Sequence, residues 1–194
     1  MSSYKGRITA KLVSNHYWCP ALAWLKVHGP GIAWSPPHFT AEHARLIGYD
    51  DLIGSILRDA VEKLAQDCEI TGIYREKRLW SSALRVSGSI DALVTCRDKN
   101  IIIEAKLRHP RRDDPAYVQA GVYMILAEHN DYRGVEAYIA SPENIVKVNN
   151  TWIITALKEI RETHKTLSMN SPPPPKRPSI TCRTCIYRRV CPYS

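Results

Sequence analysis

The sequence predicts an α/β fold in which a mixed central sheet is flanked by helices. Three observations predict it. The stretch Gly88–Lys106 places two apolar, β-branched runs around a polar turn, Arg97-Asp98-Lys99-Asn100, the signature of a β-hairpin. Leu52, Ile53, Ile56, Leu57, Ala60, Val61, Leu64 and Ala65 recur at helical spacing as one apolar stripe. Further on, strand-like segments at 134–140 and 144–148 alternate with helical patterns at about 116–129 and 151–167.

Each element follows from local chemistry. Residues 8–28 read as helical: Thr9 can cap, Leu12, Val13, Trp18, Leu22 and Val27 recur on helical turns, and Pro20 forces a kink or break just after Cys19. Gly29-Pro30-Gly31 and Ser35-Pro36-Pro37 form a loop. Asp50 or Asp51 can cap the next helix, which runs to about Asp67 with its stripe in the core. Residues 69–80 and 83–107 read as strands. Pro110–Pro115 is a charged loop, and in the helix after it Gln119 and Tyr123, four apart, share a face. Trp152, Ile153, Ala156, Leu157 and Ile160 mark the last helix, and Ser171–Pro178 is a stiff proline-rich linker.

The hairpin carries the chemistry. Alternation puts Glu104 and Lys106 on one face, and a two-residue turn pairs Asp91 with Glu104 (turn at Arg97-Asp98) or with Lys106 (turn at Asp98-Lys99). Either register brings two carboxylates and an ammonium together at one end of an apolar ladder. Close carboxylates repel, and burying them is costly without a cation. Mg²⁺ or a similar hard ion is the usual solution, with the lysine orienting water or offsetting phosphate charge. An ordinary surface Glu–Lys pair is the competing reading, of equal weight on these residues.

The chain has 194 residues, is 44% hydrophobic and 24% charged, and carries a net charge of +8. Its pI near 9.2 favours a polyanionic partner, most simply nucleic acid. No apolar run is long enough to span a membrane, and no signal-peptide core is seen, so an intracellular, cytoplasmic protein is expected. In that compartment six cysteines argue for metal or cluster chemistry before disulfides. Cys182-x₂-Cys185-x₅-Cys191 lies in a tail too short for a core of its own, so a metal centre is its simplest source of order. Cys68 and Cys96 read as small buried hydrophobes. Cys19, at the break before Pro20, is the better fourth ligand. Four cysteines serve zinc and iron–sulfur equally well.

Taken together, these residues resemble the CRISPR-associated RecB-type exonucleases, the fourth Cas family, which carry a PD-(D/E)XK nuclease fold. The resemblance covers nearly the whole chain. Tyr17-Trp18-Cys19-Pro20 resembles the family's first cysteine motif. Gly88-x-x-Asp91, Glu104-x-Lys106 and Gln119-x-x-x-Tyr123 match its Gly-x-x-Asp, Glu-x-Lys and Gln-x-x-x-Tyr motifs, and Cys182, Cys185 and Cys191 match the closing cysteines.

The resemblance implies a single nuclease domain over 1–194. Its restriction-endonuclease-like core lies at about 40–167, and 1–30 and 171–194 together form a cysteine-cluster region. It implies that Asp91, Glu104 and the Ala105 carbonyl bind Mg²⁺ or Mn²⁺ and that Lys106 positions the attacking water. Gln119 and Tyr123 would help hold the DNA strand. Cys19, Cys182, Cys185 and Cys191 would hold an iron–sulfur cluster, 4Fe-4S ahead of 2Fe-2S. One departure stands out: where the family often has a histidine, this chain has Arg58, which cannot ligate a metal but can contact phosphate. His43, or His38, is the candidate substitute. Arg111 and Arg112, like Arg188 and Arg189, are candidate backbone contacts.

The expected activity is metal-dependent hydrolysis of phosphodiester bonds at single-stranded DNA ends, trimming spacer precursors beside the CRISPR adaptation integrase. A homo-oligomer is compatible with this reading. The alternative is a DNA-end-binding or scaffolding protein of the adaptation complex with weak or no nuclease activity.

Overall fold

The structure, a computed structural model, describes residues 6–31, 49–176, 180–183 and 185–193. His38 and His43 lie outside them. Element order is β1 (Ile8–Thr9), α1 (Ala10–Trp18), α2 (Pro20–His28), α3 (Tyr49–Leu64), β2 (Ile70–Ser81), β3 (Val86–Cys96) and β4 (Asn100–Ala105). There follow α4 (Pro115–Glu128), β5 (Val135–Ala140), β6 (Ile145–Lys147), α5 (Thr151–Leu167) and α6 (Ile180–Arg183).

The six strands form one mixed sheet in the order β1-β3-β4-β5-β6, with β2 also paired to β3. β1 runs parallel to β3 and β4 parallel to β5; the pairs β2–β3, β3–β4 and β5–β6 are antiparallel. The parallel β4–β5 pair needs a crossover, which α4 provides.

On one sheet face, Leu93, Ile102 and Ile139 pack with α1, α4 and α5. On the other, Val94, Ile101 and Ile103 pack against Ile56, Leu57 and Ala60 of α3. α4 is buried from Ala116 to Ala127, so it is apolar almost all round, as a central helix must be. Gly121 lets α5 approach it: a Cβ there would sit 2.6 Å from the Trp152 carbonyl oxygen.

The local expectations translate directly. The Thr9 hydroxyl accepts from the Leu12 N–H at 3.1 Å and starts α1. Pro20 does not kink a continuous helix; α1 ends at Trp18, and proline opens α2 at a first-turn position where its missing N–H costs nothing. Cys19 is the single residue between them.

Three expectations are corrected. Leu52 belongs to the apolar stripe but is 43% exposed, because it lies in the first turn of α3 while the rest of the stripe faces the sheet. α3 also stops at Leu64, so Cys68 follows the helix rather than ending it. Cys68 and Cys96 are not free: they form a disulfide, with Cα atoms 5.8 Å apart. Pairing of Ile70 with Cys96 brings the start of β2 beside the end of β3 and sets that separation.

The chain ends meet. The Trp24 indole donates to the Met169 carbonyl at 2.9 Å, and a His28 ring nitrogen lies 2.9 Å from the Leu167 carbonyl. Buried His16 of α1 sits 2.6 Å from the Glu159 carboxylate and 2.9 Å from the Thr166 hydroxyl, and Lys176 caps the same carboxylate at 3.0 Å. A buried carboxylate held by Lys176 and a histidine resists being left alone, so the segment after α5 is tied back onto α1.

Candidate active site

The hairpin adopts the first of the two registers. Ala92 pairs with Ile103 and Thr95 with Asn100, and Arg97-Asp98 form the tip, with the Cys96 N–H donating to the Lys99 carbonyl at 2.8 Å. Continuing that register sets Asp91 opposite Glu104. The ladder itself breaks at this point. Along one edge, β3 pairs with β1 through Val86 and Ser87 and with β4 from Ala92 onward, leaving residues 88–91 between the two partners. On the other edge, Glu76 of β2 faces Asp91 with φ 49°, a left-handed conformation that interrupts the pairing. The sheet therefore opens at Asp91. The Asp91 carboxylate takes over a ladder role and accepts from the Ala105 N–H at 2.8 Å.

Glu104 is 2% exposed. Its Oε1 accepts from the Lys106 ammonium and, at 2.8 Å, from the Gln119 side-chain amide. Its Oε2 is buried with no hydrogen-bond partner among the described residues. Burial pushes the Glu104 carboxyl up to about 7; Lys106 opposes the shift and Asp91 adds to it. Burial pulls the Lys106 ammonium down, but Glu104 and Asp91 outweigh it and hold its pKa above the ordinary value. A buried, orphaned carboxylate oxygen beside a second carboxylate is a place that gains from a cation. The donor set of Asp91, Glu104 and the backbone here fits a hard divalent ion. Among the described residues, no three His, Cys, Asp or Glu side chains are gathered as a ready metal site. Protein oxygens at this point would have to be completed by water, as is usual for Mg²⁺.

Gln119 and Tyr123 meet as their spacing implies. The Gln119 amide also donates to the Tyr123 hydroxyl at 2.7 Å, and burial and Glu104 push that phenol up, so it stays neutral. The Tyr123 ring lies on Gly88, where a Cβ would come within 2.6 Å of Cε1. Gln119 and Tyr123 thus hold Glu104 from behind.

These groups line one open cleft of about 1060 Å³. Its walls add residues the sequence reading missed: Arg7, Lys11, Arg75, Arg78 and Trp80. Lys11 is an exposed residue, yet enclosure of its ammonium and the neighbouring Lys106 both hold its pKa below the ordinary value. Arg58 does not join them; it is exposed on α3 above Gly54. Arg111 and Arg112 are exposed in the loop before α4 and also lie outside the cleft lining.

Away from the cleft, Cys19, Cys182, Cys185 and Cys191 are half-buried and none is in a disulfide. Burial pushes the Cys19 thiol up, and Cys185 and Cys182 add to the shift. The Cys185 N–H donates to the Cys182 carbonyl at 3.2 Å, and the Cys191 N–H to the Tyr187 carbonyl at 2.8 Å. Thiolates are the donors that zinc and iron–sulfur centres use, but among the described residues these four are not gathered as a metal-holding group.

The chain matches the PD-(D/E)XK nuclease superfamily over residues 32–192. No curated protein sequence matches it. Among solved structures, it is similar to the protein SSO0001, at 17% identity and a TM-score of 0.53, over 99% of this chain and 88% of that one. It is also similar to a protein of Eubacterium rectale assigned as an exonuclease, at 11% identity and a TM-score of 0.56, over 92% of this chain and 88% of that one. At these identities the likeness is one of fold. No helix among the described residues is long and apolar enough to cross a membrane.

Proposed function

The chain belongs to the PD-(D/E)XK nuclease superfamily, and on that premise we propose that it hydrolyses phosphodiester bonds at single-stranded DNA ends with the help of Mg²⁺ or Mn²⁺. We propose further that its role is to process spacer precursors beside the integrase of CRISPR adaptation. One observation carries the chemistry: the orphaned, buried Oε2 of Glu104 beside Asp91 and Lys106, at the floor of a cleft walled by cations.

In this reading Asp91, Glu104 and the Ala105 carbonyl hold the divalent ion. Such an ion, when bound, supplies Lewis acidity and lowers the pKa of its water. Lys106 orients the attacking water and offsets charge building on the phosphate. Gln119 and Tyr123 fix the Glu104 carboxylate, which restricts it to one orientation. Lys11 adds a second ammonium facing the reacting phosphate. The motif order from Cys19 to Cys191 supports the CRISPR role and an iron–sulfur cluster held by Cys19, Cys182, Cys185 and Cys191.

The test uses anaerobically purified protein, end-labelled single-stranded DNA, and Mn²⁺ or EDTA, with Asp91→Ala, Glu104→Ala and Lys106→Ala alongside. Metal-dependent cutting that each substitution abolishes is the expected result, and a brown protein is expected from its visible spectrum. Tight strand binding without cutting in any metal would move the assignment to an end-binding scaffold, and a colourless protein would replace iron with zinc.

A further inference from the structure

We propose that Trp80, covered by Arg7, is a stacking platform that receives one unpaired base of the bound strand, a few nucleotides from the scissile bond. The inference rests on the single-strand reading above and adds how the cleft senses a base rather than only phosphates.

Trp80 is 51% exposed, although Leu79 beside it is 3% exposed in the core. Alternation along β2 therefore turns the indole out into the cleft, where it forms part of the wall. The Arg7 guanidinium lies 5.3 Å from the ring centroid, on its face. The backbone beneath the ring is anchored. Trp80 pairs with Ser87 of β3, and its carbonyl accepts from the Asn130 amide at 2.9 Å.

Register sets the distance to the site. Trp80 pairs with Ser87 and Arg78 with Ser89, and Ser87, Ser89 and Asp91 of β3 all line the cleft. Four residues of strand separate Ser87 from Asp91, roughly 13 Å. A strand whose scissile phosphate sits at Asp91 thus passes Arg78 before it reaches Trp80.

Charge selects the occupant. Arg7, Lys11, Arg75 and Arg78 line the same cleft, so the ring stands among groups that attract phosphates. An apolar peptide would leave those cations unmatched. A base with its own phosphates matches both features, and aromatic stacking accepts any base because each has a π-face. Bases inside a duplex are already stacked and cannot be offered, so the platform favours unpaired strands.

The test is an abasic scan. End-labelled single strands, each lacking one base at a different position, are cleaved by the wild-type protein, Trp80→Ala and Trp80→Phe. In the wild type, one position near the cut should lower kcat/KM about 5- to 150-fold, the range that one stacked base supports. Trp80→Ala should show that loss on the intact strand, mostly in KM, and no further loss at that position. Trp80→Phe should restore most of the position dependence. A Trp80→Ala protein with the wild-type profile, or equal losses at every position in both variants, would overturn the proposal. If the wild type cuts no strand, the nuclease reading fails first. The same strands in a binding titration then decide the platform: position dependence lost in Trp80→Ala supports it, and its persistence overturns it.

Discussion

The Gln119 amide on α4 donates to the Glu104 carboxylate on β4 at 2.8 Å and to the Tyr123 hydroxyl at 2.7 Å. One side chain thereby ties the central helix to the sheet at its opening. Gln119→Ala removes that tie and frees a buried carboxylate. Metal affinity or cleavage should fall about 10- to 100-fold, the usual effect of losing such a supporting contact. Manganese titration beside single-turnover cleavage reads it; unchanged values in both would reject the positioning role.

Glu104 makes the metal-free protein sensitive to pH. Its folded pKa, about 7, lies above the ordinary 4.5, so the folded state binds the extra proton between those values. The stability this group contributes should therefore be fully present below about pH 4.5 and be lost as pH rises through about 7. Glu104→Gln should remove that slope. Manganese should bind more tightly over the same interval, because it displaces the proton. Denaturant unfolding at several pH values, wild type against variant, measures the difference. Parallel slopes would contradict it.

Gly88 exists for the Tyr123 ring. A Cβ 2.6 Å from Cε1 must push the ring or bend β3. Gly88→Ala should destabilise by about 1–3 kcal/mol. Paired with Tyr123→Leu, which removes the clashing ring, the further cost of the alanine should largely vanish. Thermal unfolding of the two single variants and the double variant gives the coupling.

The Cys68–Cys96 bridge closes a loop of 28 residues. Closing a loop of that length stabilises by about 3–4 kcal/mol in the chain-entropy account. Mild reductant, or Cys68→Ser with Cys96→Ser, should lower the melting temperature while leaving the cleft intact. An unchanged melting point would show that the bridge adds nothing to stability.

Much of this molecule was legible in its residues. β-Branched runs on either side of the polar turn marked the hairpin, and both registers it allowed brought Asp91 to the end that carries Glu104 and Lys106. The four-residue spacing of Gln119 and Tyr123 placed them on one helical face, and Pro20 marked the break at Cys19. What was not legible depends on contacts between distant segments. β1 is two residues long and exists only because β3 offers an edge. The Cys68–Cys96 bridge follows from the β2–β3 pairing. Lys11, Arg78 and Trp80 carry no motif; they become neighbours of Asp91 only when α1 and β2 close around β3. Tryptophan and arginine alternating at Arg78 and Trp80 were the one available clue, since both fall on the face opposite core Leu79.

The central claim is that Glu104 serves the chemistry and not merely the fold. Single-turnover cleavage of an end-labelled single strand with Mn²⁺, wild type against Glu104→Gln, tests it most directly, with strand binding and melting temperature measured on the same samples. The account predicts that Glu104→Gln binds the strand and stays folded but no longer cuts. Cutting at the wild-type rate by a folded Glu104→Gln protein would contradict it.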